Sequence, residues 1–190
     1  AIESANPGLP VRKVMDSWIF QGGYPLLIAE RTTSGVRLTQ ERFAFEGGGA
    51  VAPGAWPVPV LVASGSATSD TAGAADTEIA VSSRRLDKAL IEDAPFELEL
   101  PGADWVQANA NGTGFYRVDY DAELRAALTA QAQDVLAPVE RYGLVDDTWA
   151  SVLAGRTTTP EFCTFARAFK SETNLAVWQR LLGGLDAMER

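Results

Sequence analysis

The chain has 190 residues, 46% hydrophobic and 22% charged, the balance of an ordinary globular protein with one large or two small domains. Sixteen Lys and Arg face 25 Asp and Glu, a net charge of −9 that excludes the basic footprint needed for nucleic acid or an anionic membrane surface. Histidine is absent and cysteine occurs once, so these residues cannot assemble an imidazole general base, an H-E-x-x-H motif or a His/Cys zinc site.

In chain order, Ala1 to Pro10 is rich in Pro and Gly and reads as an irregular lead-in. Val11, Val14, Met15 and Trp18 recur at helical spacing, as in the last turns of something upstream. From Gly22 to Tyr120 the signals are those of strands. Tyr24 to Ile28 is a short run of strand formers. Val36 and Leu38 share one parity and Phe43 and Phe45 the other, so that strand carries a bulge or switches faces. The run Gly47-Gly48-Gly49 lacks the Lys-Ser/Thr ending of a phosphate loop and reads as a flexible connection. Val58 to Val62 is a strand that Pro59 confines to an edge or a strand start.

Ser64 to Asp76 is small and polar and is expected as a long loop; Glu78 to Ser82 is a further short strand. Phe96 to Leu100 alternates cleanly, with one face buried. Asp104 to Ala108 and Phe115 to Tyr120 flank Asn111-Gly112, which predicts a hairpin; Asn111-Gly112-Thr113 also matches the N-glycosylation pattern, and the turn already explains those residues.

After Asp121 the period changes from two to about 3.6. Leu124 and Leu128 mark a first helix. Pro138 opens a second with Tyr142, Val145, Trp149 and Val152 on one face, closed by Gly155. Thr159 and Pro160 read as the cap and first position of a third, burying Phe162, Phe165, Ala166 and Phe169. Asn174 caps a fourth with a stripe of Leu175, Trp178, Leu181, Leu182, Leu185 and Met188; where it stops suggests further helices beyond. The expected fold class is α+β by segregation: an antiparallel β-sandwich of about seven or eight strands, then an all-α segment of about four helices. The expected divisions are 1–20 as lead-in, 21–120 as sandwich and 121–190 as helical domain.

The motifs Val14-Met15-Asp16-Ser17-Trp18, Gln21-Gly22-Gly23-Tyr24-Pro25, Leu38-Thr39-Gln40-Glu41-Arg42-Phe43 and Trp56-Pro57-Val58-Pro59 follow one another in an order that resembles the aminopeptidase N family of zinc metallopeptidases. Asn109 to Asp121 is similar to that family's closing β-hairpin. Glu140 to Asp147 and Glu172 to Trp178 resemble the start of its C-terminal helical domain. The resemblance implies the end of a catalytic domain, a small sandwich, and the first helices of a cap over the substrate channel. It also implies that the family's zinc motif, substrate loop and catalytic Tyr lie upstream. It therefore assigns no catalytic, metal or cofactor residue to this chain; zinc belongs to the parent, whose substrates would be peptides.

The signature positions it singles out are structural or interdomain: Trp18, Tyr24, Pro25, Gln40, Arg42, Phe43, Trp56, Pro59, Gly114, Tyr116, Arg117, Tyr120, Arg141, Asp147 and Trp178. The expected partner is the rest of the same polypeptide, with no nucleic acid and no membrane. Cys163, in an apolar helical stretch, reads as a small hydrophobe, and a lone thiol fits a reducing, cytoplasmic compartment. Thirteen Arg against three Lys, with many Ala, resemble proteins of GC-rich bacteria. The alternative reading is an independent sandwich that binds carbohydrate or protein through aromatics aligned on an exposed face.

Overall fold

The structure, a computed structural model, describes residues 10–47, 54–66 and 84–188. The expected lead-in up to residue 9, Gly48 and Gly49, and the expected strand Glu78–Ser82 lie outside them.

Among the described residues, helix α1 (Val11–Phe20) is followed by seven strands in two sheets. The first sheet has the order β5-β2-β1-β7, with β1 Pro25–Arg31, β2 Gly35–Arg42, β5 Phe96–Glu99 and β7 Arg117–Tyr120. The second has the order β4-β3-β6, with β3 Val58–Gly65, β4 Arg85–Ile91 and β6 Trp105–Gln107. All pairings are antiparallel except β1 with β7, which run parallel with Leu26 opposite Arg117.

The sandwich forms because alternate side chains of the two sheets face one another. Leu27, Ala29, Val36 and Leu38 meet Trp56, Val60, Val62 and Trp105 in one core. Strand β1 is buried on both faces, because Leu26 packs on the opposite side with Phe43 and with Ala150 of helix α4 (Pro138–Leu153). This explains the phase change read between Val36 and Phe45. Val36 and Leu38 point into the sandwich, while Phe43 packs outward toward the helix and Phe45 is exposed. Pro59 sits at the start of β3, opposite Leu90 of β4 and before β6 joins, which agrees with a proline at a strand start.

Two expectations are corrected here. Ser64 and Gly65 are not loop: they end β3, buried and paired with β6. The runs around Asn111-Gly112 are not a hairpin. β6 pairs with β3 in one sheet and β7 pairs with β1 in the other, so the segment between them crosses the sandwich. Trp105, Val106 and Gln107 are all buried, which an exposed-faced hairpin strand would not be. The loop contains a single 3-10 turn, with Asn111 at φ 63 and Gly112 at φ 62.

The helices are α2 (Ala122–Ala130), the short α3 (Ala132–Val135), α4, α5 (Thr159–Ala166) and α6 (Leu175–Ala187). Asp121 caps α2 through Leu124 N at 2.8 Å and also accepts Arg31 N at 2.5 Å, fixing the helix start to the end of β1. Leu124 and Leu128 enter the same core as the sandwich, which continues through Leu144, Trp149, Phe162, Phe165, Phe169, Val177 and Leu181.

Several helix details differ from the sequence reading. The cap of α5 is Thr158, one residue before the expected Thr159; it forms a reciprocal box with Glu161. On α4 the buried side is Arg141, Leu144, Val145, Thr148 and Trp149, and Tyr142 is exposed, because the helix meets both the strand and α6. On α6, Leu175 and Leu182 of the expected stripe are exposed. Gly155 takes φ 71 just past α4, as a helix-ending glycine does. Cys163 is half-buried rather than buried.

Candidate functional site

The densest polar region is the seam where β7 and its preceding loop meet α4 and α6. It begins with the crossing segment. The Tyr116 hydroxyl donates to Ala108 O at 2.9 Å, and the Tyr120 hydroxyl accepts Ala108 N at 2.9 Å, so two buried phenols clasp one residue's backbone. Burial pushes both phenols well above the usual tyrosine range. Asn109 closes the loop by accepting Gly114 N at 2.9 Å and donating to Gly114 O at 3.2 Å. A Cβ on Gly114 would stand 2.0 Å from the Tyr116 ring, so only glycine fits there.

Glu140 is 1% exposed and gathers this loop onto α4. Its carboxylate accepts Asn111 N at 2.7 Å and Ala137 N at 2.8 Å, and it pairs with Arg84. Burial works to raise its pKa, but Arg84 and the two amides outweigh it and hold it below the ordinary value.

Arg117 opens β7 and crosses to α4. Its Nη1 donates to Asp146 Oδ2 at 2.6 Å and to Asp147 Oδ1 at 3.1 Å, while its guanidinium lies 5.5 Å from the centre of the Phe43 ring. Asp147 Oδ2 accepts Val118 N at 3.1 Å, and Arg180 of α6 donates to Asp146 Oδ1 at 2.5 Å. At the other end of β7, Arg156 spans Asp119 and Glu41, each at 2.7 Å.

Behind this seam the helices are held by a buried ion pair. Arg141 donates to Glu172 at 2.6 and 3.0 Å and to Leu136 O at 2.6 Å. Glu172 also accepts Thr173 N, Asn174 N and Gln133 Nε2, and the Arg141 hydrogen bond leads in lowering its pKa to about 2. The Trp178 indole donates to Glu172 O at 2.8 Å.

Of the other signature positions, Gln40, Arg42, Trp18 and Trp56 lie across the sandwich from that seam, whereas Tyr24 and Phe43 adjoin Arg117. Gln40 accepts Trp56 N at 2.9 Å and donates to Trp56 O at 2.6 Å and Glu92 O at 2.8 Å, stitching one sheet to the other. Arg42 lies 5.3 Å from the Trp56 ring centre and donates to Gly22 O at 2.5 Å. Trp18 rests on Trp56 with centroids 6.1 Å apart and donates to Pro57 O at 3.4 Å, which seats α1. Tyr24 stacks on Phe43 at 5.3 Å, Pro25 is buried, and Pro59 is exposed.

Sequence reasoning missed Arg84, Asp119, Glu140, Asp146, Arg156, Glu172 and Arg180 as site residues. Glu140 had a signal, as the third residue of a helix that opens with Pro138. Arg84 and Arg180 had none, because a distant partner leaves no local pattern. Among the described residues, no group of three or more His, Cys, Asp or Glu is placed to hold a metal ion. A shallow cleft of about 440 Å³ opens beside the seam, lined by Tyr24, Phe115, Arg117, Tyr142, Asp146 and Asp147 among others.

Residues 105–190 match the family described as the ERAP1-like C-terminal domain. Along nearly its whole length the chain is similar to Tricorn protease-interacting factor F2 of Thermoplasma acidophilum, 28% identical over 188 residues, covering 99% of this chain and 21% of that protein. It is similar to puromycin-sensitive aminopeptidase of Caenorhabditis elegans, 31% identical over 190 residues (97% of this chain, 19% of the relative). Aminopeptidase M1 of Arabidopsis thaliana is 31% identical over 186 residues (94% and 20%). The chain thus spans about a fifth of the length of these relatives. They are archaeal, animal and plant proteins, so the bacterial origin read from composition finds no support in them.

Proposed function

We propose that the chain is a segment of an aminopeptidase N-like enzyme and that it is a non-catalytic scaffold linking a catalytic domain to a helical cap. On this reading residues 1–20 end the catalytic domain, 21–120 are the spacer sandwich and 121–190 begin the cap. The parent enzyme would release N-terminal residues from peptides, with zinc held by residues outside this chain. Its lone thiol fits a reducing, cytoplasmic setting.

The observation that carries the reading is the seam itself. Arg117, Asp146, Asp147 and Arg180 tie a sandwich strand to two helices through a shared set of charge-assisted hydrogen bonds. One apolar core runs beneath it from Trp105 to Leu181. A spacer that sets the angle of a cap needs such a stiff joint, and chemistry does not.

The carbohydrate-binding alternative is disfavoured by where the tryptophans point. Trp56, Trp105 and Trp149 are buried, and Trp18 and Trp178 donate their indole N–H to backbone carbonyls inside the fold. The test is to incubate the purified chain with zinc and a panel of aminoacyl-coumarin amides. No turnover is expected. Turnover that tracks with the chain through successive purification steps overturns the reading.

A further inference from the structure

A smaller cavity adjoins the cleft where β6, β7 and α4 meet. Its volume is about 20 Å³, and Gln107, Asn109, Tyr120, Glu140, Leu144 and Asp147 are among the residues that line it. Gln107 is 5% exposed, and Tyr120, Glu140 and Leu144 are buried with it. Asn109 and Asp147 also line the cleft, so the cavity has an approach from solvent on that side.

The polar groups on these walls are unequally committed. Gln107 Nε2 donates to Asn109 O at 2.8 Å, which fixes which end of the amide is nitrogen and turns Oε1 the other way. That oxygen is buried and has no hydrogen-bond partner among the described residues. The Tyr120 oxygen accepts Ala108 N, which leaves the phenol proton to be donated. Glu140 is saturated: each of its oxygens takes Arg84, and one adds Asn111 N and the other Ala137 N. Asp147 is not: Oδ1 accepts Arg117 and Oδ2 accepts Val118 N, one bond on each oxygen, and each has room for a second. The walls therefore offer one donor, Tyr120, and two acceptors, Gln107 Oε1 and the Asp147 carboxylate.

We propose that this cavity is the binding site of one internal water molecule that joins β6, β7 and α4. The water accepts the Tyr120 O–H, donates one hydrogen to Gln107 Oε1 and donates the other to Asp147. Three partners are the usual number for a buried water, and about 20 Å³ exceeds the roughly 10–15 Å³ that one water needs. An apolar occupant would leave the amide oxygen of Gln107 desolvated and unpaired. A monovalent cation fits less well, because Arg84 and Arg117 already supply cations to the two carboxylates and the Tyr120 proton needs an acceptor. Since β6 belongs to one sheet and β7 to the other, the water ties both sheets to the helix at the point where the chain crosses between them. The site is built from this chain's own residues and goes beyond the scaffold reading. Zinc-dependent turnover by the chain would sink that reading and leave the water site standing.

Oxygen-17 relaxation dispersion of the solvent counts long-lived internal waters and is read on the complete 190-residue chain. The unsubstituted chain is expected to hold one more such water than Gln107→Met, which keeps the length of the side chain and removes the orphan oxygen. An equal count in the two overturns the site. A high-resolution crystal structure of the unsubstituted chain is read alongside. One water is expected within about 2.7–3.2 Å of Gln107 Oε1 and within hydrogen-bond reach of the Tyr120 hydroxyl. A cavity without density, or a Gln107 Oε1 turned onto a protein donor, overturns the site. That structure decides alone if Gln107→Met fails to fold.

Discussion

Removing Arg141 tests how the helical half is held. The side chain of Glu172 is fully buried against Arg141, so Arg141→Met would leave a carboxylate without its cation. Breaking one side of such a pair costs about 3–5 kcal/mol. The lowering of the Glu172 pKa from 4.5 to about 2 points the same way, with the Arg141 hydrogen bond leading and Asn174, Gln133 and Thr173 sharing in it. The sign follows from the direction. The folded value lies below the unfolded one, so this stabilisation is present above pH 4.5 and drains away as pH falls toward 2. The assay is urea unfolding of the parent sequence, Arg141→Met and Glu172→Gln at pH 7 and at steps down to pH 2.5. Arg141→Met is expected to lose about 3 kcal/mol at pH 7, equivalent to roughly 6–12 °C in Tm for a chain of this size. The difference between the parent sequence and Glu172→Gln is expected to shrink as pH falls. A loss under about 1 kcal/mol, or a difference that is flat with pH, refutes the assignment of that energy to this pair.

Gln40→Ala removes the partner of both Trp56 backbone groups and of Glu92 O, and is expected to cost about 1–3 kcal/mol in chemical denaturation. Gly114→Ala drives a methyl group into the Tyr116 ring and should destabilise by about 1–3 kcal/mol, with the Tyr116 ring resonances shifting in NMR spectra. Thr158→Ala should cost about 1 kcal/mol and Thr159→Ala much less, which thermal melts of the two variants will separate.

What the sequence made legible was local. The period change after Asp121, the Asn174 cap and the aromatic spacing of Phe162, Phe165 and Phe169 all depend on residues within a turn of one another, and all three appear in the structure. What depended on distant partners was misread. Asn111-Gly112 has the residues of a tight hairpin, but Glu140 and the clasp on Ala108 use them to carry the chain between sheets. Strand β4 carries exposed Arg85, Leu86 and Lys88 and only partial burial until Ile91, so its alternation was too weak to register. Leu175 and Leu182 followed the helical period, but Val177 and Gly184 face the core because α6 is rotated by its contacts with α4 and Phe162.

The polar seam shows the same division. Arg117 and Arg141 stood out through the family resemblance, but nothing in the sequence pairs Arg117 with Asp146, 29 residues on, Arg141 with Glu172, 31 residues on, or Asp146 with Arg180, 34 residues on. An ion pair of that separation has no periodicity to betray it.

A scaffold that transmits geometry has to unfold as one body. Hydrogen exchange by mass spectrometry across a urea series, comparing peptides from β1 (Pro25–Arg31) with peptides from α4 (Pro138–Leu153), reads this directly. The shared core and the Arg117 seam predict coincident midpoints for the two. Helices that persist after β1 has opened, or strands that outlast α4, would contradict a rigid joint between sandwich and helices.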